Sequence, residues 1–288
     1  MALIYDVSFD SQTRILSLLD KAGNVISSCE VPSKSNELTL TATTDNSSVK
    51  LKKNGTLSNT YEVNMGSGWT AYEFGTSIPL NAGQSCKWRC SAHPTAQTFL
   101  NYIKFVMTGT IEASGNCNSM LSSDFENLTS LSGYDYAFYN LFKDCTALTQ
   151  APELPATTLA EYCYQSMFQG CTSLVQAPSL PATSLVASCY YRMFQGCTSL
   201  TQAPVLPATT LANTCYMNMF NGCSNLSEIR TYATKPTADS GFGSVYNWVQ
   251  GVSATGDFYC NPNTTWTTGV SGIPQNWVRH DIADYPQT

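Results

Sequence analysis

The feature that most constrains this chain is a period. Cys145, Cys171, Cys197 and Cys223 fall 26 residues apart, and Cys163, Cys189 and Cys215 keep the same step, with Ala137 in their first slot. From Ala137 to Thr234 the chain thus says nearly the same thing four times. A fixed step of about 20 to 50 residues marks stacked supersecondary units. No unit of this size hides its apolar stripes alone, whereas stacking at a constant step lays each interior side chain on its own copy one unit along.

Between Thr183 and Gly196, Leu185, Cys189 and Met193 are four apart, with Val186, Tyr190 and Phe194 four apart beside them. Such a stripe predicts a helix, capped by Thr183 or Ser184 and closed by a left-handed Gly196. In the following CTSLTQAPVLP, Leu200, Ala203 and Leu206 recur every third residue, and Pro204 and Pro207 exclude both a helix and a long strand ladder. Each unit reads as helix, tight turn, very short strand and return. Stacked, the units make a short curved solenoid.

These residues, F-x-G-C-x-x-L followed by an apolar residue, L-P and a second apolar cluster on the helix side, resemble the BspA-type leucine-rich repeat in a somewhat longer unit. The resemblance covers Tyr136 to about Ile229. It implies the leucine-rich-repeat fold and binding rather than catalysis, since the family occurs in bacterial surface adhesins and in structural proteins of gut bacteriophages.

The expected fold class is therefore α+β and multidomain. Residues 1–33 read as a β-meander anchor (LIYDVSFD, RILSLLD, VISSCEV) with hairpin residues at 20–24 and a linker at 32–36. Over 34–113, seven short alternating runs separated by NG, GSG and NAGQ turns predict an antiparallel β-sandwich. Residues 114–135 read as an atypical repeat cap, 136–232 as the solenoid, and 233–288 as a C-terminal cap with a last helix at SGFGSVYNWVQG and Trp248, Trp266 and Trp277 plugging the open end.

Chemistry is sparse. Cys86 and Cys90 with His93 nearby suggest a zinc site, but residues four apart in a strand lie about 13 Å apart, too far to share a metal or a disulfide. The column cysteines occupy a slot that Ala137 also fills, which predicts buried free thiols rather than bridges. His93 and His280 are the two histidines and neither has a nucleophile close in sequence, so no enzyme, cofactor or metal is expected.

Net charge is −6 with 12% charged residues and no basic cluster, which disfavours nucleic acid and anionic membrane as partners. No basic, apolar leader opens the chain, and no run approaches a membrane span of about 18 residues. With the family resemblance this leads to the expected function, a non-enzymatic bacteriophage virion protein, a head or tail fibre or decoration protein. Its anchor would meet other virion proteins and its repeat face a host protein or a glycan such as mucin. A bacterial cell-surface adhesin is the alternative, and a carbohydrate-active enzyme ranks third. Fibres are commonly trimeric, although no heptad run is present.

Aligned units hold their interior positions and vary at a few slots, among them Tyr139, Gln165, Tyr191 and Met217, and Glu153, Ser179 and Val205. The candidate contact ladder is Gln150, Gln176 and Gln202 with Glu153, Ser179 and Val205, flanked by Tyr139 and Tyr191. An amide row beside exposed tyrosines suits sugar.

Overall fold

The period-four stripes do not wind into helices. The computed structural model describes the backbone of residues 6–10, 15–19 and 25–30, and residues 36–91, 97–234 and 243–285 in full. Among these the only helical elements are two short 3-10 turns, Cys117–Met120 and Ile282–Asp284. The molecule is nearly all β with several sheets, so the expected α+β class is corrected: a β-sandwich forms, whereas the helix-containing solenoid does not, and no closed solenoid replaces it.

Contacts divide the chain into two units, residues 1–36 and 37–288. In the first, β1 (Asp6–Asp10), β2 (Ile15–Leu19) and β3 (Val25–Glu30) pair antiparallel in chain order. The hairpin residues expected at 20–24 and most of the linker expected at 32–36 lie outside the described residues.

In the second unit each of the seven alternating runs contains one strand: β4 (Leu38–Ala42), β5 (Ser47–Asn54), β6 (Tyr61–Asn64), β7 (Trp69–Ala71), β8 (Ile78–Leu80), β9 (Ser85–Cys90) and β10 (Tyr102–Thr108). An eighth, β11 (Ile111–Ser114), follows. One sheet runs β10-β5-β8; the other runs β11-β4-β9-β6-β7 and continues past β11 into β12 (Leu148–Gln150). Period-two alternation sends Cys86, Trp88 and Cys90 inward. The Trp88 ring then meets Phe105 of the opposite sheet edge-on at 5.2 Å and Tyr72 at 4.8 Å.

The sandwich is the base on which the repeats build. Phe105 N–H donates to the Leu141 carbonyl (2.7 Å) and Ile111 N–H to that of Ala147 (2.8 Å), while β12 pairs parallel with β11. Above it, each unit lays down a ribbon of consecutive turns. In one tier the N–H groups of Gln165, Met167, Gln169 and Cys171 close turns onto the carbonyls three residues back, Tyr162, Tyr164, Ser166 and Phe168. The alternate N–H groups, of Tyr164, Ser166, Phe168 and Gly170, donate to Cys189, Tyr191, Met193 and Gln195 of the next tier at 2.8–3.0 Å. Every one of these amides is satisfied, half locally and half by the neighbouring tier, which is what burial of a backbone requires.

The ribbon needs a left-handed residue at every fourth position. Tyr162, Ser166 and Gly170 have φ of 59°, 54° and 74°, and Ser188, Arg192 and Gly196 have 54°, 57° and 75°. This four-residue turn repeat produces the apolar spacing that reads as a helical stripe. Phe105, Phe142, Phe168, Phe194 and Phe220 stack at 5.3–5.8 Å, and Phe138, Tyr164, Tyr190 and Tyr216 form a second column at 5.4–6.0 Å. Each such aromatic pair adds about 0.5–1.5 kcal/mol beyond the area it buries.

The segment expected as a last helix is also a turn ribbon over residues 243–251, with Asn247 and Gly251 at positive φ. Trp248 closes both columns, against Tyr216 (6.2 Å) and Phe220 (6.1 Å), and Trp266 stacks on its other side at 5.3 Å. A parallel sheet of β13 (Glu228–Arg230), β14 (Asp257–Cys260) and β15 (Val278–Asp281) completes this end.

Candidate functional site

Where the ribbon turns back, isolated parallel bridges join neighbouring tiers. Gln150 bridges Gln176, and Gln202 bridges Glu228, in parallel register. Prolines follow at once (Pro152 and Pro155, Pro178 and Pro181, Pro204 and Pro207). With no N–H to donate they stop the ladder from widening. The glutamines remain exposed, as do Glu153, Ser179 and Val205.

The first two tiers enclose an open groove of ≈ 460 Å³ along this row. Gln150, Glu153, Gln176 and Ser179 line it, between walls made by the prolines and by Ala151 and Ala177. Gln202 and Val205 lie one tier beyond, where the Gln202 side-chain amide donates to Glu228 at 3.4 Å. The sequence ladder thus coincides with a concavity at four of its positions. Amides and a carboxylate supply donors and acceptors there, and proline rings supply apolar contact.

Tyr139 and Tyr191 are not part of the groove. The Tyr139 ring stands edge-on to Tyr102 of the sandwich (5.0 Å) and to Tyr136 (5.7 Å), and Tyr136 stacks on Tyr162 at 4.6 Å and 7°. Tyr191 instead carries the Arg192 guanidinium over its ring at 4.7 Å. Tyr136 and Tyr162 both occupy left-handed slots with φ 59°. Because their Cβ approaches a carbonyl oxygen, that conformation costs about 1–2 kcal/mol each.

No family model, curated protein or solved structure matches this chain.

Sequence reasoning missed a pair at the C-terminal sheet. His280 Nε2 lies 2.7 Å from Asp257 Oδ1 across adjacent parallel strands, with the imidazole stacked on Tyr259 at 4.7 Å. Nothing in the spacing of two residues 23 apart announces it; the pairing of β14 with β15 creates it. His93 lies outside the described residues. Among the described residues no group of three metal-ligating side chains is assembled, and no helix is long and apolar enough to cross a membrane.

The eleven cysteines whose side chains are described are buried, and none is joined in a disulfide. Cys145, Cys171, Cys197 and Cys223 each direct their thiol to a phenylalanine carbonyl one tier back (Phe105, Phe142, Phe168 and Phe194) at 3.0–3.2 Å. Burial pushes Cys145, Cys163, Cys215 and Cys223 up to about 12, and Cys171, Cys189 and Cys197 well above the usual thiol range. Thiols held protonated in this way are inert as nucleophiles. Their role is packing, with a weak hydrogen bond that a methyl group would not make.

Proposed function

We propose that this chain is a non-enzymatic binding protein of a bacteriophage virion, presenting the glutamine and proline groove to an extended host-surface protein or glycan. One observation carries the reading: the slots that change from unit to unit, Glu153 and Ser179, lie in the groove beside Gln150 and Gln176, while the columns behind them keep their residues. A rigid stack with a tolerant outer row is a scaffold on which contact residues are exchanged without disturbing the core. The low charge, and the resemblance of the repeat residues to the BspA-type repeat, support display on a virion.

The test is adsorption of the purified chain to mucin-coated and host-cell surfaces, compared with Ser179→Trp, which fills the groove, and Gln176→Ala, which removes one amide. Loss of about tenfold or more in affinity for both variants, with unchanged melting, is expected. Equal binding by the Trp variant would exclude the groove. Mass spectrometry of purified phage particles tests the location, and absence of the chain from the particle would sink it.

A further inference from the structure

We propose that Tyr102, Tyr136, Tyr139 and Tyr162 form a second binding site, separate in its residues from the groove, whose ligand is an uncharged sugar ring. Tyr136 and Tyr162 stand in left-handed slots where the next tier uses Ser188, at φ 54°. A small polar residue thus serves this slot, yet two successive tiers place there a bulky ring, the kind of side chain most rarely found in that conformation. Strain retained where a milder residue suffices points to the ring itself being needed.

These four rings are half-buried, unlike the fully buried column from Phe138 to Tyr216. Tyr136 and Tyr162 are nearly parallel, with Tyr139 and Tyr102 carrying the aromatic surface across to the sandwich. Beyond Tyr162 the ring column stops. Ser188 occupies the next rung and its hydroxyl is engaged with Thr214 at 2.7 Å, so among the described residues no further ring meets Tyr162.

Charge selects the ligand class. The charged side chains acting on Tyr136 are Asp135 and Glu161, both exposed carboxylates that form no ion pair among the described residues. Burial, then the neighbouring tyrosines and these carboxylates, push the Tyr136 hydroxyl up, so it stays protonated. Ring faces carry negative quadrupole charge that attracts the C–H face of a pyranose, and carboxylates accept hydrogen bonds from its hydroxyls. The same carboxylates repel phosphate, sulfate and sialic acid.

The experiment titrates the full chain with cellohexaose, maltohexaose, a neutral O-linked core oligosaccharide, its sialylated form and choline, by calorimetry and tyrosine fluorescence. The variant is Tyr136→Asn with Tyr162→Asn, since asparagine accepts left-handed backbone. At least one neutral oligosaccharide binds, its anionic form binds about tenfold or more weaker, and the variant loses about tenfold or more affinity while melting no lower than the parent. Tyr162→Phe keeps most of the binding. The inference is overturned if no neutral probe binds up to about 10 mM, if choline alone binds, if the double variant binds equally, or if it melts several degrees lower, which would make the rings packing. Repeated in a Ser179→Trp background, which fills the groove, the titration must still show neutral-sugar binding that the Tyr136→Asn with Tyr162→Asn change removes; loss of all binding in that background would assign the sugar to the groove.

Discussion

Tyr164 offers a clean perturbation, because its ring and its hydroxyl do opposite things. The ring is fully buried between Phe138 (5.4 Å) and Tyr190 (5.7 Å), nearly parallel to both. The hydroxyl is buried without a hydrogen-bond partner. Leaving a polar group dry and unpaired costs about 1–3 kcal/mol. Tyr164→Phe removes the hydroxyl and keeps both stacked pairs, and Phe138 already occupies the equivalent slot one tier back. We expect stabilisation by about 1–3 kcal/mol, which for a unit of this size raises Tm by roughly 2–12 °C. Urea and thermal unfolding followed by circular dichroism measure it. Destabilisation by about 1 kcal/mol or more would show that the hydroxyl has a partner, such as a buried water, and that the interior is not dry there.

Two further predictions concern the tiers. Nine thiols (Cys86, Cys117, Cys145, Cys163, Cys171, Cys189, Cys197, Cys215 and Cys223) are raised by burial from a starting value near 9. Above that pH the unfolded chain releases protons that the folded chain retains, so stability falls as pH rises, by up to about 1.4 kcal/mol per thiol per pH unit. The urea midpoint should hold to about pH 8 and drop steeply beyond pH 9; a flat profile to pH 11 would mean water reaches the thiols. At Gly196 a Cβ would find its nearest neighbours, two Gly170 atoms, at 3.9 Å, so the cost of a side chain there comes from φ +75°. Gly196→Val should cost about 1–2 kcal/mol or more and Gly196→Asn distinctly less; equal losses would show that space, not backbone, is limiting.

The failed helix is instructive. A stripe at strict period four drifts about 40° per step around an α-helix of 3.6 residues per turn. From Leu185 to Met193 the apolar series drifts about 80° around such a helix, whereas the four-residue turn keeps it in line. Asn140 and Asp144, Ser166 and Gly170, and Asn218 and Gly222, all turn-forming residues, fall on the left-handed positions. The turn ribbon was thus written in the sequence, but a single unit could not reveal it. Half of its amides have no partner within the unit, and their carbonyls arrive only with the next tier.

The sequence alone determined the 26-residue step, the alternation that makes the sandwich strands, and the row of Gln150, Gln176 and Gln202. Side-chain period and proline placement are local quantities, readable without a partner. The tertiary structure decided that the repeats are turns, that the groove takes Glu153 and Ser179 but not Tyr139, that Tyr102 of the sandwich joins Tyr136, Tyr139 and Tyr162, and that His280 finds Asp257. Each of these depends on which surfaces meet when distant segments stack.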